Sequence, residues 1–506
     1  MGNTWDALTY CNDEDLKVWL ILEDQKIQFS EMDIYQLRVL RKSLSSMNDT
    51  LQIEYKNWIK SGDLSRAQLI LEKQKINFNN YGEVNFPLPI DWRLGLPGKD
   101  NLNWQLHSMI FLRDLISAHA KTSQIEYFSW VKTFILDWSS QNISKTKLSP
   151  FAWNDHSTAY RLFALTNVFI YCLDTMPQEL EFIKLLISLI TRHQLILSDD
   201  TFYSRGTNHG LDQSFFLYLS SIVLDFTNYS SSIREVSLKR LRFEVENSFA
   251  KDGVHIENSP EYHDIVFYNV LRINKVIKEI ELINTIDNFE SFCKNALRYL
   301  TQILRPDGCW PPIGDSTVRS PRYIYDNLVH LSNYEEYSFA ISQGRKGKPI
   351  SDQYAIFPDS GYFIMRSNPT YLPFDKSIHI VFKCGFLSHY HRHDDDNNVL
   401  IFGYGEEWLT EGGLYQHSAT DPQRIHMRSH YAHNLMAPTG VDAKRDRDKY
   451  PTSGIVDFLI DPPFARAKGE TMMFPGFVYS REISYNGRNV IYIKDVLKKI
   501  ENTNIT

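Results

Sequence analysis

The stretch most suggestive of chemistry is rich in histidine, runs directly into three acids and reads Ser388-His389-Tyr390-His391-Arg392-His393-Asp394-Asp395-Asp396. If this segment is extended, residues two apart share a face, so His389, His391 and His393 would point the same way. Each imidazole brings a donor and an acceptor that need partners. Neighbouring carboxylates commonly partner catalytic or metal-bound histidines. The pattern predicts a functional histidine-rich strand, with a solvated polar strand end as the alternative.

A second cluster lies at the start of a helical pattern and reads Arg205-Gly206-Thr207-Asn208-His209-Gly210-Leu211-Asp212. Thr207 or Asn208 could cap that helix, and the helix dipole would favour an anion nearby. The cluster therefore predicts either an anion-binding helix terminus or a plain capping loop.

A third cluster precedes another helix and contains Glu257, Ser259, Pro260 and Tyr262. The Ser-Pro pair marks a helix start, because proline is favoured in the first turn. Tyr262 would then lie at the mouth of a helix rather than deep in a core. A tyrosine in a first turn is common, so this signal is weak by itself.

His393, Glu411 and His433 form a mixed set of nitrogen and oxygen ligands. Such a set suits zinc better than calcium. The three residues are far apart in the sequence, so only the fold could bring them together.

Arg161 follows Trp153 inside a helical pattern that otherwise faces a core. An inward arginine needs an anionic partner, which could be a protein carboxylate or an acidic substrate. The residue types alone favour the protein carboxylate.

Composition excludes some classes of function. The 506 residues suggest two to four domains, and 43% hydrophobic with 23% charged residues are typical of a soluble globular protein. The net charge of −7 and the lack of a basic block argue against a nucleic-acid partner. The five cysteines have no CxxC spacing, so they predict neither a disulfide framework nor a thiolate metal site.

The first residues of the sequence lack the apolar segment of a signal peptide. No stretch has the apolar length needed to span a bilayer. We therefore expect a cytoplasmic protein by default, and a periplasmic or secreted one if a leader precedes this sequence.

The predicted elements divide the chain into a helical part and a strand-rich part. Residues 1–80 look helical, and residues 81–103 look like a proline-fixed connector. Further helices are predicted near residues 104–119, 123–140, 156–174, 178–196, 208–226, 232–249, 260–283 and 287–304. Short links between successive helices indicate antiparallel hairpins and an α/α toroid. Strands are predicted near residues 362–365, 378–382, 399–402 and 490–493, which indicate an antiparallel β-sandwich.

Taken in order, these motifs resemble the heparinase II/III family of polysaccharide lyases. The likeness covers residues from about 86 to about 434. It is carried by Ile90-Asp91-Trp92, Trp104, His107, Trp153, Arg161, Asn208-His209, Asp252-Gly253, Glu257, Ser259, Tyr262, Pro306-Asp307-Gly308, Gly314-Asp315-Ser316, Ser360-Gly361-Tyr362, His391, His393, Asp395, Glu411-Gly412 and His433-Asn434. Together, the predicted elements and the resemblance indicate a helical segment over residues 1–85 that packs on the toroid, a catalytic α/α toroid over 86–330 and an antiparallel β-sandwich over 331–506.

The resemblance also implies an activity, the eliminative cleavage of a uronic-acid-containing polysaccharide. Asn208 would hold the uronate carboxylate with His209 close by. Tyr262 would act as acid or base at the leaving oxygen O4. His391 would act as the opposing base that removes the proton on C5, with the acidic sugar fitting between these two side chains. The cleft would lie between the toroid and the sandwich.

The remaining roles implied by the resemblance concern binding. Trp153, Arg161 and Glu257 would contact the substrate. The set of His393, Glu411 and His433 matches a structural metal site, and no organic cofactor is expected.

The sequence departs from the family pattern at three positions of interest. Thr207 stands where relatives often have a second asparagine, and Asp212 is shorter than the usual glutamate. Glu411 replaces a common aspartate, and the sequence ends early for a complete sandwich. Two alternatives therefore stay open: a glycoside hydrolase on a toroid, with Asp212 and Glu257 as its acid pair, or a non-catalytic carbohydrate-binding or assembly protein of surface polysaccharide metabolism.

Overall fold

The computed structural model describes residues 19–22, 25–28, 31–45, 49–79, 81–92, 100–143, 148–149, 151–385, 387–416, 420–444 and 453–500. Part of the predicted connector, residues 93–99, lies outside the described residues. The chain forms two compact units. Unit 1 contains Met1–Glu244 and Lys275–Ile283, and unit 2 contains Val245–Asn274 and Asn284–Thr506.

The helices of the described residues are α1 Ile34–Ser45, α2 Asp49–Lys60, α3 Leu64–Lys73, α4 Asp100–Ser108, α5 Leu112–Thr122, α6 Ile125–Asn142, α7 Asp155–Thr175, α8 Leu180–Ser198, α9 Asn208–Val223, α10 Ser230–Asn247, α11 Pro260–Glu281, α12 Phe289–Ile303, α13 Tyr334–Ile341 and α14 Pro422–Arg428. The strands are β1 Trp19–Leu22, β2 Gln25–Gln28, β3 Lys75–Phe78, β4 Gly82–Asn85, β5 Tyr354–Phe357, β6 Tyr362–Arg366, β7 His379–Lys383, β8 Asn398–Gly403, β9 Glu406–Leu409, β10 Ser453–Asp461, β11 Phe464–Thr471, β12 Phe477–Tyr485 and β13 Ile491–Lys499. None of the helices within these described ranges is long and apolar enough to cross a membrane.

Unit 1 is organised around α7, which packs against α4, α8 and α9. This helix carries apolar side chains on most of its surface, as expected for a helix buried in the core of a large domain. Asn154 caps its first turn by accepting hydrogen bonds from the backbone N–H groups of His156 and Ser157. The cap fixes where α7 begins, and so fixes the position of the polar residues in its first turn.

Unit 2 contains two antiparallel sheets, one of β5 to β9 and one of β10 to β13, each with its strands in sequence order. Val381 in the middle of the first sheet pairs with Ile364 on one side and Leu400 on the other. Side chains of both sheets form one core; they include Phe363, Ile380, Phe382, Ala465, Ala467, Ile483 and Tyr485. The two sheets therefore pack face to face as a sandwich.

The predicted helices from residue 123 to residue 304 agree with α6 to α12 in number and nearly in bounds. The prediction of one helix over 104–119 is wrong, because α4 and α5 are separated at Met109, whose φ is +55°. The prediction that residues 1–80 are helical is wrong in part, since β1 with β2 and β3 with β4 form hairpins. Strands of four residues are too short to give a clear alternating pattern.

The four predicted strands correspond to β6, β7, β8 and β13. The prediction missed β5, β9 and β10 to β12. In β10, exposed residues of apolar type stand on both faces, so the alternation expected of a half-buried strand is absent.

Candidate active site and metal centre

The histidine-rich stretch is a loop between β7 and β8, so the prediction of a strand there is wrong. His391 has a φ of +52°, in the left-handed region that side chains other than glycine rarely adopt. This residue interrupts any two-residue alternation through the stretch. The three histidines therefore do not share a strand face.

The loop is held against the segment that precedes α11. The side-chain amide of Asn258 donates to the carbonyl oxygens of Ser388 at 2.8 Å and Tyr390 at 3.3 Å. The backbone N–H of Asp315 donates to the carbonyl oxygen of His391 at 3.1 Å. These contacts fix the backbone position of His391 independently of the hydrogen bonds that its ring makes.

His391 and Tyr262 lie in direct contact within unit 2. Their rings are stacked, with centroids 3.5 Å apart and planes 19° from parallel. The sequence prediction brought these two residues to one site, but the expectation that a sugar fits between them is wrong in this arrangement. At this separation the rings are in van der Waals contact, so a substrate cannot lie between them.

Both nitrogens of the His391 ring lie beside carboxylates. The Nδ1 atom is 2.9 Å from Oδ2 of Asp315, and Nε2 is 3.4 Å from Oε2 of Glu257. Because a carboxylate can only accept, the bond to Asp315 places a proton on Nδ1. The Nε2 atom is then the nitrogen that can accept a proton while the ring is neutral.

Tyr262 lies in the first turn of α11, as the Ser-Pro signal predicted. Its backbone N–H donates to Oγ of Ser259 at 3.3 Å. Burial, together with the charges of Asp315 and Glu257, raises the pKa of Tyr262 far above its usual value of 10. The phenol is therefore protonated throughout the neutral range and can act as a proton donor.

Asp315 contacts three other side chains of the site, and only 1% of its surface is exposed. Its carboxylate accepts hydrogen bonds from His391, from His393 Nε2 at 3.0 Å and from both terminal nitrogens of Arg424. Burial by itself would raise the pKa of Asp315, but the hydrogen bonds from His391, His393 and Arg424 outweigh it and hold that pKa well below its ordinary value.

Sequence reasoning gave Asp315 no role, although the resemblance included Gly314-Asp315-Ser316. It expected the acids within the histidine stretch to be the histidine partners, and two of them have other partners. Asp395 forms a buried ion pair with Lys383 at 2.6 Å, and Asp396 accepts from Arg392 at 2.8 Å.

His393, Glu411 and His433 are brought together as a possible metal site. One ligand atom of each lies within 4.8 Å of the other two. His393 Nδ1 and His433 Nε2 are buried and have no hydrogen-bond partner among the described residues. Such orphaned buried acceptors cost free energy unless something binds them, so the residues present fit a divalent cation.

Unit 1 contains a separate polar cluster, where Asn208 and His209 occupy the first two positions of α9. Thr207 caps this helix, since its hydroxyl accepts from the backbone N–H of Gly210 at 3.1 Å. His209 Nδ1 lies 2.9 Å from Asp155 Oδ2. Burial opposes ionisation of Asp155, but His209 outweighs it and lowers the pKa of Asp155 below its ordinary value.

His156 belongs to the same cluster and was not singled out from the sequence. Its ring stacks on His209 at a centroid distance of 3.9 Å, and its Nε2 lies 2.9 Å from Asp212 Oδ2. Tyr160 also donates to Asp212, at 3.1 Å. The only signal in the sequence was the position of His156 one turn before Tyr160 in α7. Asn208 and His209 are both partly exposed and so can meet a ligand.

Two predicted substrate contacts are wrong because the side chains are buried. Arg161 is 0% exposed and donates to the carbonyl oxygens of His107 and Ala152 and to Nε2 of His193. Burial, together with the charge of Arg161, lowers the pKa of His193, so this ring stays neutral and accepts. Arg161 therefore has neutral partners, neither a protein carboxylate nor a substrate acid.

Glu257 is 1% exposed and faces His391 and His255 rather than solvent, so it cannot contact a sugar directly. Trp153 is half-buried, and its indole N–H donates to the carbonyl oxygen of Asn142 at 3.0 Å. A substrate contact at Trp153 stays a prediction.

Comparison with known proteins gives consistent relatives. Residues 35–338 match the family described as Heparinase II/III N-terminus, and residues 350–505 match Heparinase II/III-like, C-terminal. A heparin-sulfate lyase of Pedobacter heparinus is 22% identical over 397 residues, which cover 75% of this chain and 59% of that protein. A heparin-sulfate lyase of Bacteroides stercoris is 23% identical over 369 residues, covering 66% of this chain and 52% of that protein.

The chain thus spans a little over half the length of these curated relatives. Among solved structures, that of heparinase III matches with a TM-score of 0.73 at 14% identity, and the match covers 91% of this chain and 75% of the heparinase III chain. That of a heparan sulfate lyase from Pedobacter heparinus has a TM-score of 0.61 at 16% identity, covering 91% and 73%. These likenesses confirm the predicted fold class, an α/α toroid followed by an antiparallel β-sandwich.

Proposed function

The chain belongs to the heparinase II/III family, and we propose that it cleaves a uronic-acid-containing polysaccharide by β-elimination. The single observation that carries this proposal is the contact between Tyr262 and His391, a protonated phenol stacked on an imidazole whose two nitrogens lie beside carboxylates. The product would be a chain with a 4,5-unsaturated uronate at its new end. Heparan sulfate is the first polymer to test, because both curated relatives are called heparin-sulfate lyases.

The proposed chemistry uses this pair as base and acid. His391 Nε2 removes the proton on C5 of the uronate. The electron pair of that C–H bond forms the C4–C5 double bond as the C4–O4 bond breaks. Tyr262 gives its proton to O4 of the leaving sugar. The positive charge formed on His391 is stabilised by the carboxylates of Asp315 and Glu257.

The substrate approaches the edges of the stacked rings rather than the space between them. His391 retains 18% of its side-chain surface exposed, and Tyr262 is half-buried. The His391 ring is therefore held by buried carboxylates, while part of its surface and part of Tyr262 stay accessible to a ligand.

We propose further that Asn208 and His209 bind a carboxylate group of the polysaccharide. Both residues lie at the N-terminus of α9, where the helix dipole favours an anionic group. Nδ1 of His209 lies 2.9 Å from Asp155 Oδ2, and this contact orients the ring at the helix terminus.

For the metal centre we propose zinc, held by His393, Glu411 and His433. Two imidazoles and one carboxylate form a donor set that zinc prefers, whereas calcium prefers oxygen ligands. When bound, the metal would supply a fixed cross-link between the three residues.

A glycoside hydrolase needs two carboxyl groups facing the sugar, one on each side of the scissile bond. Asp212 and Glu257 were the candidates, and they are only 8% and 1% exposed. Both have histidine partners within the protein. These observations favour elimination over hydrolysis.

The test is to incubate the protein with a panel of uronate polymers that begins with heparan sulfate and to follow the ultraviolet absorbance of the new double bond. A lyase produces this chromophore together with new chain ends. A hydrolase produces reducing ends without the chromophore, and a binding protein produces neither. Reducing ends without the chromophore, or no product from any uronate polymer, would refute the proposal.

A further inference from the structure

The two oxygens of Asp315 are shared between His391 and His393. Oδ2 lies 2.9 Å from His391 Nδ1, and Oδ1 lies 3.0 Å from His393 Nε2. Arg424 spans both oxygens, at 3.2 Å and 2.8 Å, which fixes the plane of the carboxylate. One buried carboxylate thus touches a residue of the proposed acid–base pair and a residue of the metal set.

The backbone around Asp315 is held independently of its side chain. Its N–H donates to the carbonyl oxygen of His391. The preceding Gly314 has a φ of +55°, and a Cβ there would lie 2.5 Å from that same carbonyl oxygen. The two loops are therefore joined through their backbones, and an isosteric change at Asp315 alters the ring contacts without removing that backbone hydrogen bond.

The two ring nitrogens of His393 have different surroundings. Nε2 donates to Asp315, which leaves Nδ1, buried and without a hydrogen-bond partner among the described residues, as the nitrogen available to a metal. Binding at Nδ1 fixes the orientation of this ring, and the ring fixes Oδ1 of Asp315. Oδ2 of the same rigid carboxylate then sets the angle of the His391 ring.

We propose that Asp315 is a positioning residue that couples occupancy of the metal set to the orientation of His391. The effect of this coupling on catalysis rests on the proposed function. The coupling itself consists of the contacts that run from His393 through Asp315 to His391. When the Asp315 carboxylate is removed, His391 still stacks on Tyr262 and its Nε2 still lies near Glu257. It loses the hydrogen bond to Nδ1 that sets its tautomer.

The first experiment needs no substrate. Wild-type protein, Asp315→Asn and Asp264→Asn are treated with diethylpyrocarbonate with and without saturating zinc, and the rate of modification of His391 is read by mass spectrometry. Asp264 is the matched control: it is a buried carboxylate of the same unit whose partners are the Tyr325 hydroxyl and the Arg322 backbone N–H.

We expect zinc to change the modification rate of His391 several-fold in the wild type and in Asp264→Asn. In Asp315→Asn the rate should be independent of zinc. Zinc affinity, measured by calorimetry, should fall about 10- to 100-fold in Asp315→Asn, as for other outer partners of metal-bound histidines, and should be unchanged in Asp264→Asn.

The second experiment separates coupling from mere metal retention. With zinc at saturation, Asp315→Asn should keep a reduced kcat on the polymer cleaved by the wild type, with KM changed much less. Full recovery of kcat at saturating zinc would mean that Asp315 acts only by retaining the metal, and would overturn the coupling.

The proposal is also overturned if wild-type protein binds no zinc, or if zinc affects His391 equally in wild type and Asp315→Asn. Failure of the lyase proposal has a different signature. No polymer would then give the chromophore, while the modification rates would still show the zinc dependence through Asp315.

Discussion

Tyr262→Phe is the substitution that most directly tests the proposed acid. It removes one oxygen and keeps the ring that stacks on His391 at 3.5 Å. The backbone bond from residue 262 to Ser259 Oγ is also kept, so the first turn of α11 is undisturbed. The change therefore removes the proton donor and little else.

The expected loss follows from the role of that proton. General acid–base groups contribute about 10²- to 10⁴-fold to rate, which corresponds to about 3 to 5 kcal/mol in activation free energy. The effect on stability should be far smaller, since a net hydrogen bond is worth about 0.5 to 1.5 kcal/mol. We expect kcat to fall by at least about 100-fold with a melting temperature close to that of the wild type.

The assay is initial-rate measurement of the double-bond absorbance, with the melting temperature followed in parallel. Tyr268→Phe is the matched control, because Tyr268 lies on the same helix and stacks on Tyr323 at 3.9 Å, and it is 37% exposed. This control should keep wild-type kcat. A Tyr262→Phe variant with kcat within a few-fold of wild type would refute the assignment of the proton to this phenol.

Three further predictions concern stability. Arg161→Met should lower the melting temperature without raising KM, because it strips partners from buried carbonyl groups at about 1 to 3 kcal/mol each; an unchanged melting temperature with a raised KM would restore its role in substrate binding. His393→Ala should lower the melting temperature and abolish the increase that zinc gives to the wild type, an increase worth about 2.7 kcal/mol at a concentration 100 times Kd; a zinc-dependent increase in this variant, seen by scanning calorimetry, would exclude His393 as a ligand. Burial raises the pKa of Asp264 from 3.8 to about 6, so its protonated form contributes stability that is full below pH 3.8 and is lost as pH rises through about 6. Asp264→Asn should flatten that part of the curve of melting temperature against pH, and a curve parallel to that of the wild type would contradict the shift.

Local rules accounted for much of the helical part of the chain. Hydrophobic periodicity located α6 to α12 to within a few residues. Ser259-Pro260 correctly placed Tyr262 in the first turn of α11, because the signal and the structure it specifies lie within the same few residues. The hairpin β3–β4 was missed, since four-residue strands give too few alternations to be distinguished from a helix end.

Much of the candidate site was predictable as residues, Asp315 and His156 excepted, but the contacts among them were not. The ordered motifs pointed to Tyr262 and His391, yet their stacking depends on the left-handed backbone at His391, which no residue type signalled. The resemblance implied that Arg161 binds the substrate, and its residue type favoured a protein carboxylate as its partner. Only packing determined that carbonyl oxygens and a neutral imidazole would supply it.

By itself, the sequence determined the order of α6 to α12, the fold class and the family, because these depend on residue types and short-range spacing. The tertiary structure alone decided that Asp315, 76 residues before His391 and 78 before His393, would hold both rings. The physical reason is that a hydrogen bond depends on distances of about 3 Å between atoms, and such distances between remote segments are set by how whole elements pack.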